Sequence, residues 1–337
     1  MLLRACLRLP GFAYGCVMRL RRIAYETGFF QSRRFDIPVI SIGNLTAGGS
    51  GKTPAAMQVC REILDLGICP GLILRGYRSD QGVSDEAELF RYRLPDIVVS
   101  EGVDRVEAGI RAIADGAGAL VVDDGFQHLK LKRDFDIVLI DALSPWGGGV
   151  CFPGGLLREP KAALTRAGAV VITRADQCSR ETLARLKAEI VRLVPKARLF
   201  SANHHPTRLI REGNQPGPSL GWLRGQTVVA VCGIARPEAF ALTLTGLGAK
   251  VVKVLAVADH CGFDPVFAAR VSRDAQRCDG VVIVTEKDAA KKSFANLLKA
   301  VDTRNKGLLI LGIDLKIDDP EGFRSLIAET IGGHRNG

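Results

Sequence analysis

Short runs of Val, Ile, Leu and Ala recur along the chain, and most are followed by segments in which apolar residues return every three or four positions. The runs that read as strands are "IPVISIG", "GLILRG", "DIVVS", "ALVVDD", "DIVLIDA" and "AVVITRAD", then "TVVAVCGI", "KVVKVLAV", "GVVIVTEKD" and "GLLILGI". Many are apolar throughout instead of alternating, as strands covered on both faces require. Between them, "KTPAAMQVCREILDLG" carries helix signals, with Pro54 in its first turn and Gly67 near its end. "SRETLARLKAEIVRLV" and "DPVFAARVSRDAQRCDG" have the same periodicity. Repeated strand–helix alternation predicts an α/β fold, a mainly parallel sheet with helices on both faces.

The alternation breaks at "HHPTRLIREGNQPGPSLGW", which is rich in turn formers and has no helical period. A linker or hinge over 205–222 is therefore expected to separate a domain at 31–204 from a smaller α/β domain at 223–337, a division that suits the chain length. The polar motifs sit directly after the apolar runs, and open α/β sheets bind ligands at the carboxyl ends of their strands. Two such edges facing one another would make a cleft.

Residues 1–30 stand apart. "RACLRLPGFAYGCVMRLRRIAYETGFF" mixes large apolar residues with Arg4, Arg8, Arg19, Arg21 and Arg22, against the single acid Glu26. Val17, Leu20, Ile23 and Ala24 fall at helical spacing. Either this is an amphipathic helix lying on an anionic membrane surface, or it packs on the core with its basic face in water. A cleaved targeting segment is disfavoured, because arginine interrupts the apolar region and no small-residue cleavage site follows.

Composition narrows the partners. With 47% hydrophobic and 24% charged residues the chain can bury a sizeable core. A net charge of +10 calls for an anionic partner without choosing among them. No apolar run is long enough to span a bilayer as a helix. The nine cysteines lack a CxxC pair and read as free thiols facing a reducing cytosol, which argues against a disulfide framework or a zinc site. No platform of interleaved aromatic and basic residues supports a nucleic-acid partner.

The strongest chemical signal is "TAGGSGKTP", residues 46–54, between a strand and a helix. A loop of this kind (Thr46, Ala47, Gly48, Gly49, Ser50, Gly51) offers backbone N–H groups to phosphate oxygens, Lys52 supplies a mobile cation, and Thr53 a hydroxyl for Mg2+. Thr46 stands where the usual pattern has its first glycine. Asp123 and Asp124 close the run "ALVVDD", where an acid reaches magnesium directly or through water, and the sequence does not choose between them. Asp85 and Glu86 open a predicted helix that Ser84 could cap, and Arg75 and Tyr77 lie beside the same sheet edge. Asp259 and His260 follow "KVVKVLAV", where a carboxylate with a histidine partner would serve proton transfer from a hydroxyl. "TRAD", ending at Asp176, resembles a guanine-reading signature, but Arg174 replaces its lysine; "TEKD", 285–288, either caps a helix or lines the cleft.

Taken together, "SIGNLTAGGSGKTP", "LRGYRSD", "SDEAE", "VVDDGFQHLKLKRDFDIVLIDA", "FPGGLLREP", "VCGIARPEAF", "VADHCGF" and "VTEKDAAK" resemble the tetraacyldisaccharide 4′-kinase family of lipid A synthesis. They run in order from about residue 39 to 292, most of the chain. The resemblance implies a P-loop NTPase-like domain with a second, smaller α/β domain across a cleft. It implies transfer of the ATP γ-phosphate to the 4′-hydroxyl of an acylated glucosamine disaccharide 1-phosphate lipid, with Mg2+, at the cytoplasmic face of the bacterial inner membrane. It further implies Asp85 as catalytic base with His260 as its partner, Asp123 and Asp124 as metal- and phosphate-organising acids, and Glu159 of "LREP" as another active-site acid. Arg78 and Cys261 depart from the family pattern, without removing a charged or proton-handling group. The residues by themselves also permit a membrane-associated nucleotide switch with no sugar-lipid acceptor.

Overall fold

The computed structural model describes residues 7–76, 84–258, 261–301 and 307–335. Among them are eleven strands, and neighbouring strands within residues 39–210 and within 227–317 pair in parallel. In chain order they are β1 (Val39–Asn44), β2 (Pro70–Leu74), β3 (Val98–Glu101), β4 (Ala119–Asp123), β5 (Phe135–Asp141), β6 (Ala169–Thr173), β7 (Arg198–Ile210), β8 (Thr227–Cys232), β9 (Lys250–Ala256), β10 (Val281–Thr285) and β11 (Leu308–Ile317). The ten apolar runs all lie on strands. Only β7 was not foreseen.

The chain forms two compact units, one of Met1–Val83, Phe90–His204 and Leu315–Gly337, the other of Ser84–Leu89 and His205–Asp314. The division differs from the expected one in three places. The stretch 205–210 is the second half of β7 and no linker, since Pro206 sits within the strand. Residues 84–89 group with the second unit, and the C-terminal helix Pro320–Arg335, expected in the smaller domain, belongs to the first.

In the first unit the strands lie in the order β3-β2-β4-β1-β5-β6-β7. β1 is flanked by β4 and β5, with Ile42 beside Asp123, so the segments leaving β1 and β4 emerge as neighbours at one edge. One core cluster joins Phe126, Val138, Ile140, Val170 and Ile172 to Leu186 and Ile190 of helix Arg180–Leu193. A second joins Val39, Leu120 and Val122 to Ala108 and Ala112 of helix Arg105–Ala114. Helix Pro320–Arg335 returns to helix Lys52–Asp65, where Arg324 Nε lies 2.9 Å from the buried carboxylate of Glu62. A carboxylate removed from water needs such a partner.

The second unit orders its strands β11-β10-β8-β9. Val229, Val231, Val282 and Val284 face helix Pro265–Arg277 through Ala268 and Val271, while Val228, Ala230 and Ile283 meet Phe240 and Leu244 of helix Pro237–Gly246. Both faces of these strands are covered, which accounts for their unbroken apolar sequences.

Helix Arg8–Glu26 docks on the first unit in an unusual way. Its buried residues are Gly11 and Gly15. A Cβ at Gly11 would meet Cys151 O at 2.5 Å, and one at Gly15 would meet Cys151 Sγ at 3.3 Å, so the absent side chains set how closely the helix approaches. Leu9, Phe12, Leu20 and Ile23, which share one stripe at helical spacing, point to solvent instead, with Phe12 74% exposed. No helix among the described residues is long and apolar enough to cross a membrane.

Gly11→Val should force the helix off this seat, because overpacking against backbone costs about 1–3 kcal/mol. Amide exchange is expected to speed up across 8–26 and stay unchanged in β1 and β4; protection equal to the parent chain would contradict the docking described.

Candidate active site

The loop after β1 has the backbone that phosphate binding demands. Gly48 and Gly51 adopt left-handed conformations, φ 120° and 88°, which glycine reaches without steric cost. Gly51 caps helix Lys52–Asp65 and, lacking a side chain, makes no capping bond to the helix's first N–H groups. These groups and the helix dipole favour an anion. Thr46 pairs with Leu157 in an isolated bridge, while Ala47 N donates to Leu156 O at 2.7 Å and Arg158 N to Leu45 O at 2.7 Å. The loop entry is thus extended backbone, where a β-branched residue fits and a glycine is not needed.

Three charges converge beside the loop. Lys52 Nζ lies 3.6 Å from Asp124 Oδ1, and Arg158 Nη1 bonds both oxygens of that carboxylate, at 2.8 and 2.7 Å. Burial opposes a charge on Asp124, but Lys52 and Arg158 outweigh it and hold the carboxyl below the usual carboxylate range. Lys52 also reaches Asn44 Oδ1 at 3.4 Å, Asn44 Nδ2 donates to Thr46 O at 2.7 Å, and Gln127 Nε2 donates to Asn44 O at 3.0 Å. Lys52 is therefore oriented from two sides before any ligand arrives.

Asp123 is buried at the end of β4 and Asp124 follows it with φ 52°, so the two carboxylates leave the strand in different directions. Asp123, Asp124 and the hydroxyl of Thr53, in the first helical turn, are oxygen donors of the type magnesium takes. Among the described residues no group of three or more His, Cys, Asp or Glu converges on a metal position. Glu159 is engaged by a neighbouring cation. Both its oxygens are taken by Arg166, at 2.7 and 3.0 Å, and the Arg166 guanidinium lies 4.1 Å from the Phe126 ring centre. Glu159, expected as an active-site acid, thus forms an ion pair with Arg166 that braces the "DDGFQ" turn, where Arg166 also donates to Phe126 O.

The sequence matches the tetraacyldisaccharide-1-P 4′-kinase (LpxK) family model over residues 3–332. The chain belongs to this family. Relatives include the tetraacyldisaccharide 4′-kinase of Anaeromyxobacter sp. (strain K), 39% identical over 84% of this chain and 80% of that protein. That of Syntrophus aciditrophicus (strain SB) is 34% identical over 93% and 89%. In fold the chain is similar to LpxK from Aquifex aeolicus, with a TM-score of 0.72 at 24% identity, covering 98% of this chain and 99% of that one.

The first unit brings Lys52, Thr53 and the glycine loop together with Asp123 and Asp124. Asp85 lies in the second unit, half-exposed at the first position of helix Asp85–Arg93, where Ser84 Oγ accepts from Ala87 N at 3.2 Å and caps the helix. Asp259, His260, Tyr77 and Arg78 lie outside the described residues. "TEKD" caps its helix: Thr285 Oγ1 accepts from Asp288 N at 3.2 Å, and the fully buried Asp288 accepts from Gly233 N and from Lys291 Nζ, the latter at 2.7 Å.

Arg158 is the site residue that sequence reasoning missed. It is adjacent to Glu159 in "LREP", and consecutive side chains leave the backbone in different directions, so the motif was legible but its inward member was not. Asn44 and Gln127 were hidden for another reason, because neutral amides carry no pattern of their own.

Two imidazoles near these elements stay neutral. Burial, then Arg174, pushes His204 down to about 3; burial, then Arg105, pushes His128 down to about 4. Both folded values lie below the unfolded one, so the unfolded chain binds more protons once pH falls under about 6.5. Stability should be full above that pH and decline toward pH 4. In denaturation midpoints across this range, His204→Gln should remove up to one proton's slope, about 1.4 kcal/mol per pH unit; an unchanged slope would mean that His204 takes up its proton in the folded state.

Proposed function

We propose that this protein transfers the γ-phosphate of ATP to the 4′-hydroxyl of an acylated glucosamine disaccharide 1-phosphate, a step of lipid A synthesis. The observation that carries the reading is the convergence of Lys52 and Arg158 on Asp124 beside a glycine loop at a helix N-terminus, in a chain of this kinase family. The Aquifex aeolicus relative was crystallised in complex with ATP, which supports ATP as donor.

The roles follow from the charges. Loop N–H groups and the helix N-terminus receive the phosphates. Lys52 and Arg158 sit beside them, and the arriving polyphosphate competes with Asp124 for both cations. Magnesium, when bound, neutralises charge on the donor phosphates; Thr53, Asp123 and Asp124 are the residues that would hold it. Phosphoryl transfer has a loose transition state, so positioning and electrostatics do most of the work. Asp85 accepts the proton of the attacking hydroxyl, with His260 as its partner, as the family motifs imply. The new O–P bond forms as the bond to the ADP oxygen breaks.

The acyl chains of such an acceptor reside in a bilayer, and helix Arg8–Glu26 is built to meet one. Its outward stripe of Leu9, Phe12, Leu20 and Ile23 is flanked by Arg8, Arg19 and Arg22, and Phe29 just beyond it is 80% exposed. Partly buried apolar side chains with arginines at headgroup level describe a peripheral contact with an anionic surface. In this reading the protein works at the cytoplasmic face of the bacterial inner membrane.

Transfer of labelled γ-phosphate to a detergent-dispersed acylated disaccharide 1-phosphate tests the reaction. Lys52→Ala is expected to lower kcat/KM by about 10²–10³-fold and Asp85→Asn by about 10²–10⁴-fold. Nucleotide hydrolysis indifferent to the lipid would instead point to a nucleotide switch.

The membrane contact has its own readout. Leu9→Asp with Phe12→Asp should weaken co-sedimentation with vesicles containing anionic phospholipid by about tenfold or more, given about 1.5–3 kcal/mol for each large apolar side chain buried. Equal sedimentation of variant and parent would assign the contact elsewhere.

A further inference from the structure

The motif "TRAD" has no place in the reaction described so far, and its geometry gives it one. A loop that points its N–H groups at a phosphate must turn its carbonyls the other way, and those carbonyls then need donors of their own. Thr173, fully buried at the end of β6, donates from Oγ1 to Ser50 O at 2.9 Å. Arg174 donates from Nη2 to Gly49 O at 3.0 Å. Both carbonyls belong to the tightest part of the glycine loop, and both donors come from two consecutive residues of a different strand end.

Arg174 is fixed in that position. Its Nη1 lies 2.8 Å from Asp141 Oδ2 at the end of β5, with the two side chains 7% and 4% exposed. Asp141 is itself oriented by Leu143 N, which donates to its Oδ1 at 3.1 Å. The Arg174 backbone is left-handed, φ 53° and ψ 36°, an uncommon state for a residue with a side chain. His204 completes the floor: its Nε2 lies 2.7 Å from where a Cβ on Gly51 would stand.

We infer that Thr173 and Arg174, the latter anchored by Asp141, are positioning residues of the phosphate loop, holding the Gly49 and Ser50 carbonyls down so that the loop amides face the nucleotide. The inference rests on the reading of this loop as the ATP site. It also gives the arginine that replaces the lysine of a guanine-reading signature a different task, bracing the loop from beneath.

The test uses the full chain, a non-hydrolysable ATP analogue with Mg2+ in calorimetry, and KM values for ATP and for the acylated disaccharide. Thr173→Val is isosteric and removes only the hydroxyl donor, so it should weaken analogue binding about fivefold; Arg174→Ala, which loses a charged donor, should weaken it about 10–100-fold. The KM for ATP should rise in step while that for the lipid acceptor holds, and Thr173→Ser should restore binding to within about twofold of the parent. Should Arg174→Ala fail to fold, the comparison of Thr173→Val with Thr173→Ser decides alone. Parent-like binding by Thr173→Val, or an equal rise in both KM values, would overturn the inference and leave the ATP site intact. Absence of analogue binding by the parent chain would overturn both.

Discussion

One carboxylate, Asp124, balances the two cations beside the glycine loop. Without it, Lys52 and Arg158 would be two like charges pressed together beside a helix N-terminus that is itself positive. With it, the pair is tolerated in a partly buried place, and the cations are kept oriented while awaiting a ligand of higher negative charge. The arrangement is a stored electrostatic demand, which a polyphosphate satisfies better than one acid can. The glycine loop, the left-handed turn at Asp124 and the returning segment with Arg158 all serve to bring these three charges to one sheet edge.

Supports for that edge come from separate parts of the chain. The 147–160 segment pairs with the loop entry through Leu156 and Leu157 and carries Arg158 inward. The "DDGFQ" turn presents Asp124 and steadies Asn44 through Gln127. The N-terminal helix rests on the same 147–160 segment at Cys151 and donates from Arg21 to Gln127 O at 3.2 Å. An element read as a membrane contact is thus seated on the backbone that frames the nucleotide loop.

Much of this was legible because burial on both faces writes a simple signature, and the ten apolar runs lie on strands. The misreadings have physical causes. "HHPTRLI" has histidines and a proline and looks like a turn, yet it is half of β7, since Pro206 need give up only a ladder donor. The pattern of helix Arg8–Glu26 left two readings open, and the packing bears on one of them. Periodicity alone would put Leu20 and Ile23 inward, whereas two glycines make the seat and the large side chains face out. Arg158 went unread beside Glu159 because its role depends on Asp124, 34 residues away in sequence and brought to it only by the fold. The task of Arg174 is not legible in "TRAD", because its partners Asp141 and Gly49 are far from it in sequence and only the fold brings them together.

The first unit is discontinuous, closed by helix Pro320–Arg335 through Arg324 and the buried Glu62, with Phe323 packed edge-on against Phe200. During synthesis the amino-terminal segments leave the ribosome long before this last helix does. The inserted unit, almost all of it contiguous in sequence, can assemble in the interval, while Glu62 remains without its arginine until residue 324 has been added. The unit whose strands are made before the inserted one is therefore closed after it.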